Sequence, residues 1–179
     1  HVFHMDKVIQ LLLDKIVQKT DKYPSLWQER ILIRTASALH DIGKIGIDEA
    51  ILNKPGRLTA EEFESMKAHT TIGADMLRNL PRYQEERILQ IAIEICRWHH
   101  ERYDGKGYPD GLVGDEIPIS AQLVSIADVY DALTSERVYK KAFSHEKAMQ
   151  MIREGECGAF NPLLLSCLEE IADELQAEM

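Results

Sequence analysis

Basic residues are in the minority in this chain of 179 residues: 21 Lys and Arg stand against 30 Asp and Glu, for a net charge of −9. Nothing basic covers a face, which argues against general binding to nucleic acid or to an anionic membrane surface. A small anionic ligand is still admitted, because a bound metal pair supplies positive charge locally. No apolar run approaches the length of a membrane span, and no signal peptide is visible. Cysteine is scarce: Cys96, Cys157 and Cys167 are odd in number and form no metal-like pair. They read as reduced packing residues of a cytoplasmic protein. Sustained two-residue alternation, internal repeats and low-complexity tracts are also missing. Hydrophobic residues at 45% and charged residues at 28% give an ordinary globular balance. The length suits one domain with a sizeable core. There is no starting Met, so the expectation is a single domain over residues 1–179, cut from a longer protein.

The patterning is helical. Val2, Met5, Val8, Ile9, Leu12, Leu13 and Ile16 recur at three- and four-residue steps and predict a helix to Lys19. A second helix, from Trp27 to Leu39, is rich in Ile, Leu and Ala and is expected at the centre. Thr59 and Glu62 form a capping box that opens a helix to about His69, continuing to Leu80 if Gly73 is tolerated. Further helices are predicted from Glu85 to His100, from Ser120 to Leu133, from Ser144 to Arg153, and from Asn161 to the end. Residues 103–118, with four glycines and two prolines, read as an irregular loop with a short hairpin. The fold class is all-α, a bundle of about seven or eight helices.

His and Asp residues fall at the ends or on the apolar faces of these helices: His40-Asp41, His69, His99-His100 and Asp128. They are spaced 28 residues (41 to 69), 30 (69 to 99) and 28 (100 to 128) apart. Each interval fits one helix plus its connection, so successive helices can deliver ligands to one interior site. A single histidine such as His69 is more often a hydrogen-bonded core or surface residue. Asp128 is harder to dismiss, because a carboxylate among Val124, Ile126, Ala127 and Leu133 is costly to bury without a partner. Asp131 can instead be an exposed polar position. Six ligands exceed the four of a closed zinc site and suit two ions with positions open to water and substrate. His1 or His4 would add a seventh. His145 and Lys67 read as surface residues, and Trp27 and Trp98 as packing residues.

The stretch from His99 to Pro109, with His40-Asp41-Ile42-Gly43-Lys44 before it and Ala127-Asp128-Val129-Tyr130-Asp131-Ala132-Leu133 after it, closely resembles the HD-GYP family. These are bacterial cyclic di-GMP phosphodiesterases of the HD superfamily, and the resemblance runs from about His1 to Pro162. It implies an HD-domain helical bundle with an irregular, glycine-rich GYP loop. It further implies that His1, His40, Asp41, His69, His99, His100 and Asp128 are metal ligands, with Asp41 bridging. His4 is the alternative to His1, because the interval from His1 to His40 is longer than the family's, with extra residues around Asp21 to Trp27. Lys44 and Asp41 match catalytic positions, and Lys44, Tyr108, Asp131, Arg137 and Lys140 match positions that contact the dinucleotide. Two divalent ions, iron or manganese, would activate a bridging hydroxide that attacks phosphorus and yields linear pGpG, GMP, or both. In some members of the family a third metal is linked with a Glu four residues before the upstream His, a position that these 179 residues do not include.

Three positions depart from the family: Gln122 for the usual Arg, Val138 for Pro and Asn161 for Asp. The first can weaken a phosphate or structural contact. The alternatives are a hydrolase of another cyclic dinucleotide, such as cyclic GMP-AMP, and a weakly active HD-GYP signalling or binding domain. The expected partner is a cyclic dinucleotide and not a nucleic-acid polymer. The resemblance leaves room for a homodimer and for a fused sensory or GGDEF domain.

Overall fold

In α1 (Val2–Lys19), Met5, Val8, Ile9, Leu12, Leu13 and Ile16 form one stripe, and all six are buried. The computed structural model describes residues 2–137 and 140–178, with side chains from residue 4 onward. His1 and Val138 lie outside the described residues. The stripe of α1 faces α7 (Ile119–Thr134), α2 (Leu26–Ser37) and α9 (Pro162–Glu170). Helix α7 is the axis of the bundle. Ser120 through Ala127 are buried without interruption, followed by Tyr130, Asp131 and Leu133. A helix apolar on every side belongs in an interior.

The expected central place of α2 is corrected by the structure. Its buried residues are Leu26, Ile33, Ala36 and Ser37 alone. Trp27 and Ile31, one turn apart, share its outer face and are 53% and 61% exposed. Composition suggested a core helix, but the packing leaves the face that carries Trp27 and Ile31 exposed. The Trp27 ring is covered instead by the Arg30 guanidinium, 3.8 Å from its centroid, a cation–π contact.

Beyond α2 come a 3₁₀ turn (Ile42–Gly46), the one-turn α3 (Glu49–Leu52), α4 (Ala60–Lys67), α5 (His69–Arg78) and α6 (Arg87–Trp98). Helices α8 (His145–Arg153), α9 and α10 (Ala172–Glu178) close the bundle. The capping box is present: Thr59 Oγ1 accepts from Glu62 N at 3.1 Å, and Glu62 Oε1 accepts from Thr59 N at 2.8 Å. Among the described residues there are no strands, only isolated bridges at Asp104–Val113 and Arg137–Lys140. The all-α class holds, with two of the expected helices broken at Ala68 and Ile171. At the first break, side chains compete for the helical carbonyls. His69 Nδ1, Thr70 Oγ1 and Thr71 Oγ1 reach the oxygens of Met66, Lys67 and Ala68 at 2.8, 2.8 and 3.1 Å. No helix among the described residues is long and apolar enough to cross a membrane.

Two glycines let site elements approach backbone to backbone. A Cβ on Gly43 would lie 1.9 Å from His69 O and 2.5 Å from Gly73 N, so only glycine lets the 3₁₀ turn rest on α5. A Cβ on Gly107 would lie 2.4 Å from Arg102 N and 2.5 Å from His100 O, so the loop folds back against the His99-His100 end of α6.

Candidate metal centre

Helix α2 tightens as it ends. Ala38, Leu39 and His40 donate to the carbonyls of Thr35, Ala36 and Ser37, three residues back. This 3₁₀ winding carries His40 and Asp41 inward beside the starts and ends of α5, α6 and α7. Asp41, His69, His99 and His100 each offer a ligand atom within 4.8 Å of one another. Asp41 is the hinge of the site, because its two oxygens face different neighbours. Oδ1 lies 3.3 Å from His69 Nε2 and 3.6 Å from His99 Nε2. Oδ2 lies 3.1 Å from His40 Nε2 and 3.1 Å from Lys44 Nζ. Beyond His40 lies Asp128 Oδ1, at 3.5 Å.

The backbone fixes the tautomers of three of these imidazoles. His40 Nδ1 meets Ser37 O at 2.7 Å, His69 Nδ1 meets Met66 O at 2.8 Å, and His99 Nδ1 meets Ile95 O at 2.8 Å. A carbonyl only accepts, so each Nδ1 carries the hydrogen and each neutral ring turns the Nε2 lone pair inward. His69 Nε2 and His99 Nε2 then converge to 3.5 Å with Asp41 Oδ1 beside them. A cation between these three acceptors would satisfy all of them. A metal bonded at about 2.1 Å to each ligand would hold neighbouring ligands about 3 Å apart. The donor set therefore fits a divalent ion, and its mixed nitrogen and oxygen chemistry suits first-row transition metals.

The electrostatics agree. Burial opposes the charge on Asp41, but the His40, His69 and His99 imidazoles around it hold its carboxyl far below the usual range. Asp128 is also lowered, against its burial, chiefly by His40. Burial alone would lower His40, yet Asp128 and Asp41 together raise it to about 10. Without metal, a proton on His40 Nε2 thus takes the place of a cation between the carboxylates. Burial and the neighbouring imidazoles push His100 down to about 2, and burial lowers His99. Both are kept neutral, as a metal ligand would have to be. Cys96 is no ligand: its Sγ donates to Leu39 O at 3.1 Å and burial pushes its thiol up to about 12.

Tyr108 stacks on His100, with ring centroids 5.0 Å apart and planes at 16°. Its loop is strapped down by residues to which the sequence assigned no functional role, among them Trp98, read there as a packing residue. Glu101 is buried, and its Oε2 and Oε1 accept from the backbone N–H groups of Asp110 at 2.7 Å and Leu112 at 2.8 Å. The Asp110 carboxylate in turn receives Arg97 Nε at 2.8 Å, Arg97 Nη2 at 2.9 Å and Trp98 Nε1 at 2.6 Å. Arg102 Nη1 ties the loop to α7 through Ser125 Oγ at 2.9 Å. A carboxylate directly after His99-His100 was visible in the sequence, but its partners are backbone amides, which leave no side-chain signal.

The other expected residues are placed as follows. Asp131 is buried one turn after Asp128, so the exposed alternative is excluded; burial raises its carboxyl. It lies 3.9 Å from His4 Nδ1 and accepts from Ser135 Oγ at 3.4 Å. His4 therefore stands beside Asp131, outside the four-ligand group. The Lys140 ammonium donates to the carbonyls of Leu133, Ser135 and Lys141 at 3.2, 3.3 and 3.0 Å, while the Arg137 side chain is exposed. His145, read as surface, is half-buried and shares a 2.8 Å hydrogen bond with the Tyr130 hydroxyl. Gln122 and Asn161, two of the departures, face each other: Asn161 Nδ2 donates to Gln122 Oε1 at 3.0 Å. Gln122 Nε2 donates to Asp115 Oδ1 at 3.1 Å and Ile117 O at 2.8 Å, so its contacts are structural.

The HD domain family matches residues 1–162. A probable cyclic di-GMP phosphodiesterase of Vibrio cholerae is 40% identical over 169 residues, 92% of this chain and 38% of the relative. A cyclic di-GMP phosphodiesterase of Thermotoga maritima is 46% identical over 143 residues, covering 80% of this chain and 38% of that protein. A 3′3′-cGAMP-specific phosphodiesterase of Vibrio cholerae is 42% identical over 149 residues, 83% of this chain and 28% of its own. The chain spans roughly a third of the length of such curated relatives.

Proposed function

The chain belongs to the HD domain family, as an HD-GYP domain, and from that premise we propose that it is a metal-dependent phosphodiesterase hydrolysing cyclic di-GMP to linear pGpG, GMP, or both. The observation that carries the proposal is the split coordination of Asp41. One oxygen faces His69 and His99, and the other faces His40. Such an arrangement would let Asp41 serve two ions, with His100 available on one side and Asp128 on the other. Iron or manganese suits the ligand set. When bound, the metals supply Lewis acidity and bring the pKa of a coordinated water toward neutrality.

The chain's own residues do the rest. The backbone-anchored imidazoles keep their Nε2 atoms aimed inward, so the ligands need no rearrangement. Lys44 holds a positive charge 3.1 Å from Asp41 Oδ2, where it can pair with a phosphate oxygen and stabilise developing charge. Tyr108, supported by His100, offers a ring face to the ligand. Arg137 and Lys140, on the loop after α7, are proposed to pair with the second phosphate, and Asp131 to hold the ligand side of α7. In this reading the protein acts in bacterial cytoplasmic signalling as part of a longer chain.

Asp41→Ala should lose bound metal by elemental analysis and lose formation of linear or mononucleotide product. Retained metal with full turnover would overturn the assignment. The cGAMP-specific relatives favour a second substrate reading, hydrolysis of cyclic GMP-AMP. Chromatography of products after incubating the metal-loaded protein with a panel of cyclic dinucleotides separates the two.

A further inference from the structure

Beside the metal ligands runs a groove of about 280 Å³, lined by Glu64, Lys67, Ala68, Thr71, Tyr108 and Pro109. Helix α4 forms one wall and buries none of its residues. Its Lys67 ammonium stands 5.0 Å from the Phe63 ring centroid and 5.3 Å from that of Tyr108. The two rings meet edge to face at 6.1 Å. The same ammonium lies 2.8 Å from Glu64 Oε1. One place in the groove therefore presents carboxylate acceptors, an ammonium donor and aromatic faces together. Phe63 is 45% exposed and contributes nothing to the core.

The position relative to the metal centre is close. Lys67 precedes the ligand His69 by two residues, and Tyr108 stacks on the ligand His100. The groove is thus adjacent to the place where a diester held by those ligands would sit. We infer that the groove is a guanine-reading subsite, in which Glu64 and Lys67 read the base edge and the Tyr108 ring supports the base. This subsite rests on the cyclic dinucleotide activity proposed above.

The edge chemistry selects the base. Guanine presents an acceptor, O6, beside two donors, N1–H and N2–H. A carboxylate can take both donors while an ammonium donates to O6. Adenine presents one donor, N6–H, beside the N1 lone pair, so the carboxylate loses a partner and faces a like acceptor. Base stacking on aromatic rings adds affinity without choosing the base. An exposed Glu–Lys pair one helical turn apart, serving only the helix, would carry no such selectivity.

The test is steady-state hydrolysis of cyclic di-GMP and cyclic di-AMP by the metal-loaded protein, Glu64→Gln and Lys67→Met. Wild-type protein is expected to prefer cyclic di-GMP. Glu64→Gln should shrink that preference in kcat/KM about tenfold, the worth of one charge-assisted hydrogen bond. Lys67→Met should raise KM for cyclic di-GMP about tenfold, as a KM effect and not a kcat effect. Unchanged preference and KM in both variants would overturn the subsite alone, as would a wild-type preference for cyclic di-AMP. Turnover of neither dinucleotide by the wild-type protein would overturn the proposed function and the subsite with it.

Discussion

Replacing Glu101 by Gln should free the glycine-rich loop while leaving the metal ligands in place. Both carboxylate oxygens of Glu101 accept backbone N–H groups, from Asp110 and Leu112, and the side chain is buried. Glutamine keeps the shape but turns one acceptor into an NH₂ group. That group would face a backbone N–H, donor against donor. The remaining bond loses its charge, and one buried N–H goes unpaired. A hydrogen bond to a charged group contributes about 1.5–3 kcal/mol, and an orphaned buried donor costs about 1–3 kcal/mol. Allowing for overlap of the two effects, local opening of the loop should become easier by about 2–4 kcal/mol. At 1.4 kcal/mol per factor of ten, amide exchange at Asp110 and Leu112 should speed up roughly 30- to 700-fold. Amides of α5 should exchange as before, and bound metal should stay, because Glu101 touches none of the ligand atoms. Hydrogen exchange read residue by residue, with elemental analysis alongside, makes the measurement. Unchanged protection at Asp110 and Leu112 would refute the view that Glu101 is the strap of the loop.

Gly43→Ala should destabilise the protein by more than about 2 kcal/mol, because its Cβ would strike the backbone of α5 at His69 O, and urea denaturation reads the loss. Gln122→Arg and Asn161→Asp should each destabilise the protein alone, since each leaves the other's amide with a mismatched charge. Together they should recover at least about 1 kcal/mol through a buried ion pair, visible as coupling in a double-mutant cycle; additive effects would contradict the pairing. The metal-free protein should be most stable near pH 6.5. Below that value the unfolded chain protonates His99 and His100 while the folded one, with both lowered, does not, so stability falls. It falls further under pH 3.8, as the lowered Asp41 and Asp128 take up protons on unfolding. Above 6.5 the contribution of His40, raised to about 10, is lost progressively. Saturating Mn²⁺ should move the optimum upward, because binding requires a deprotonated His40 Nε2, and thermal melts across pH with Mn²⁺ or chelator read the shift.

The helical plan was legible because apolar residues recur at helical spacing along α1, α6 and α7, and because Thr59, Ser144 and Asn161 cap helices by local hydrogen bonds. The capping box depends on residues three apart, so it needs no tertiary context. The place of α2 was misread for the opposite reason. Its apolar content is high, but Trp27 and Ile31 lie on a face that no other helix covers, and only neighbouring elements decide that. Lys67 likewise read as a solvated cation. Its position between two rings comes from the glycine-rich loop folding Tyr108 back against α4.

By itself the sequence determined the all-α class and the types and order of the candidate ligands, because helical period, capping and metal preference are properties of residue type and spacing. The tertiary structure decided which atoms converge. Imidazole orientation depends on carbonyls at the ends of α2, α4 and α6, and the split of the Asp41 oxygens depends on a 3₁₀ turn seated on α5 through Gly43. The imidazole–carbonyl bonds are local, but Asp41 meets His69 and His99, and Gly43 meets α5, across long separations in the chain. Spacing along a sequence carries no record of them, since many packings satisfy the same periodicity and only one brings Asp41 Oδ1 and Oδ2 to different partners.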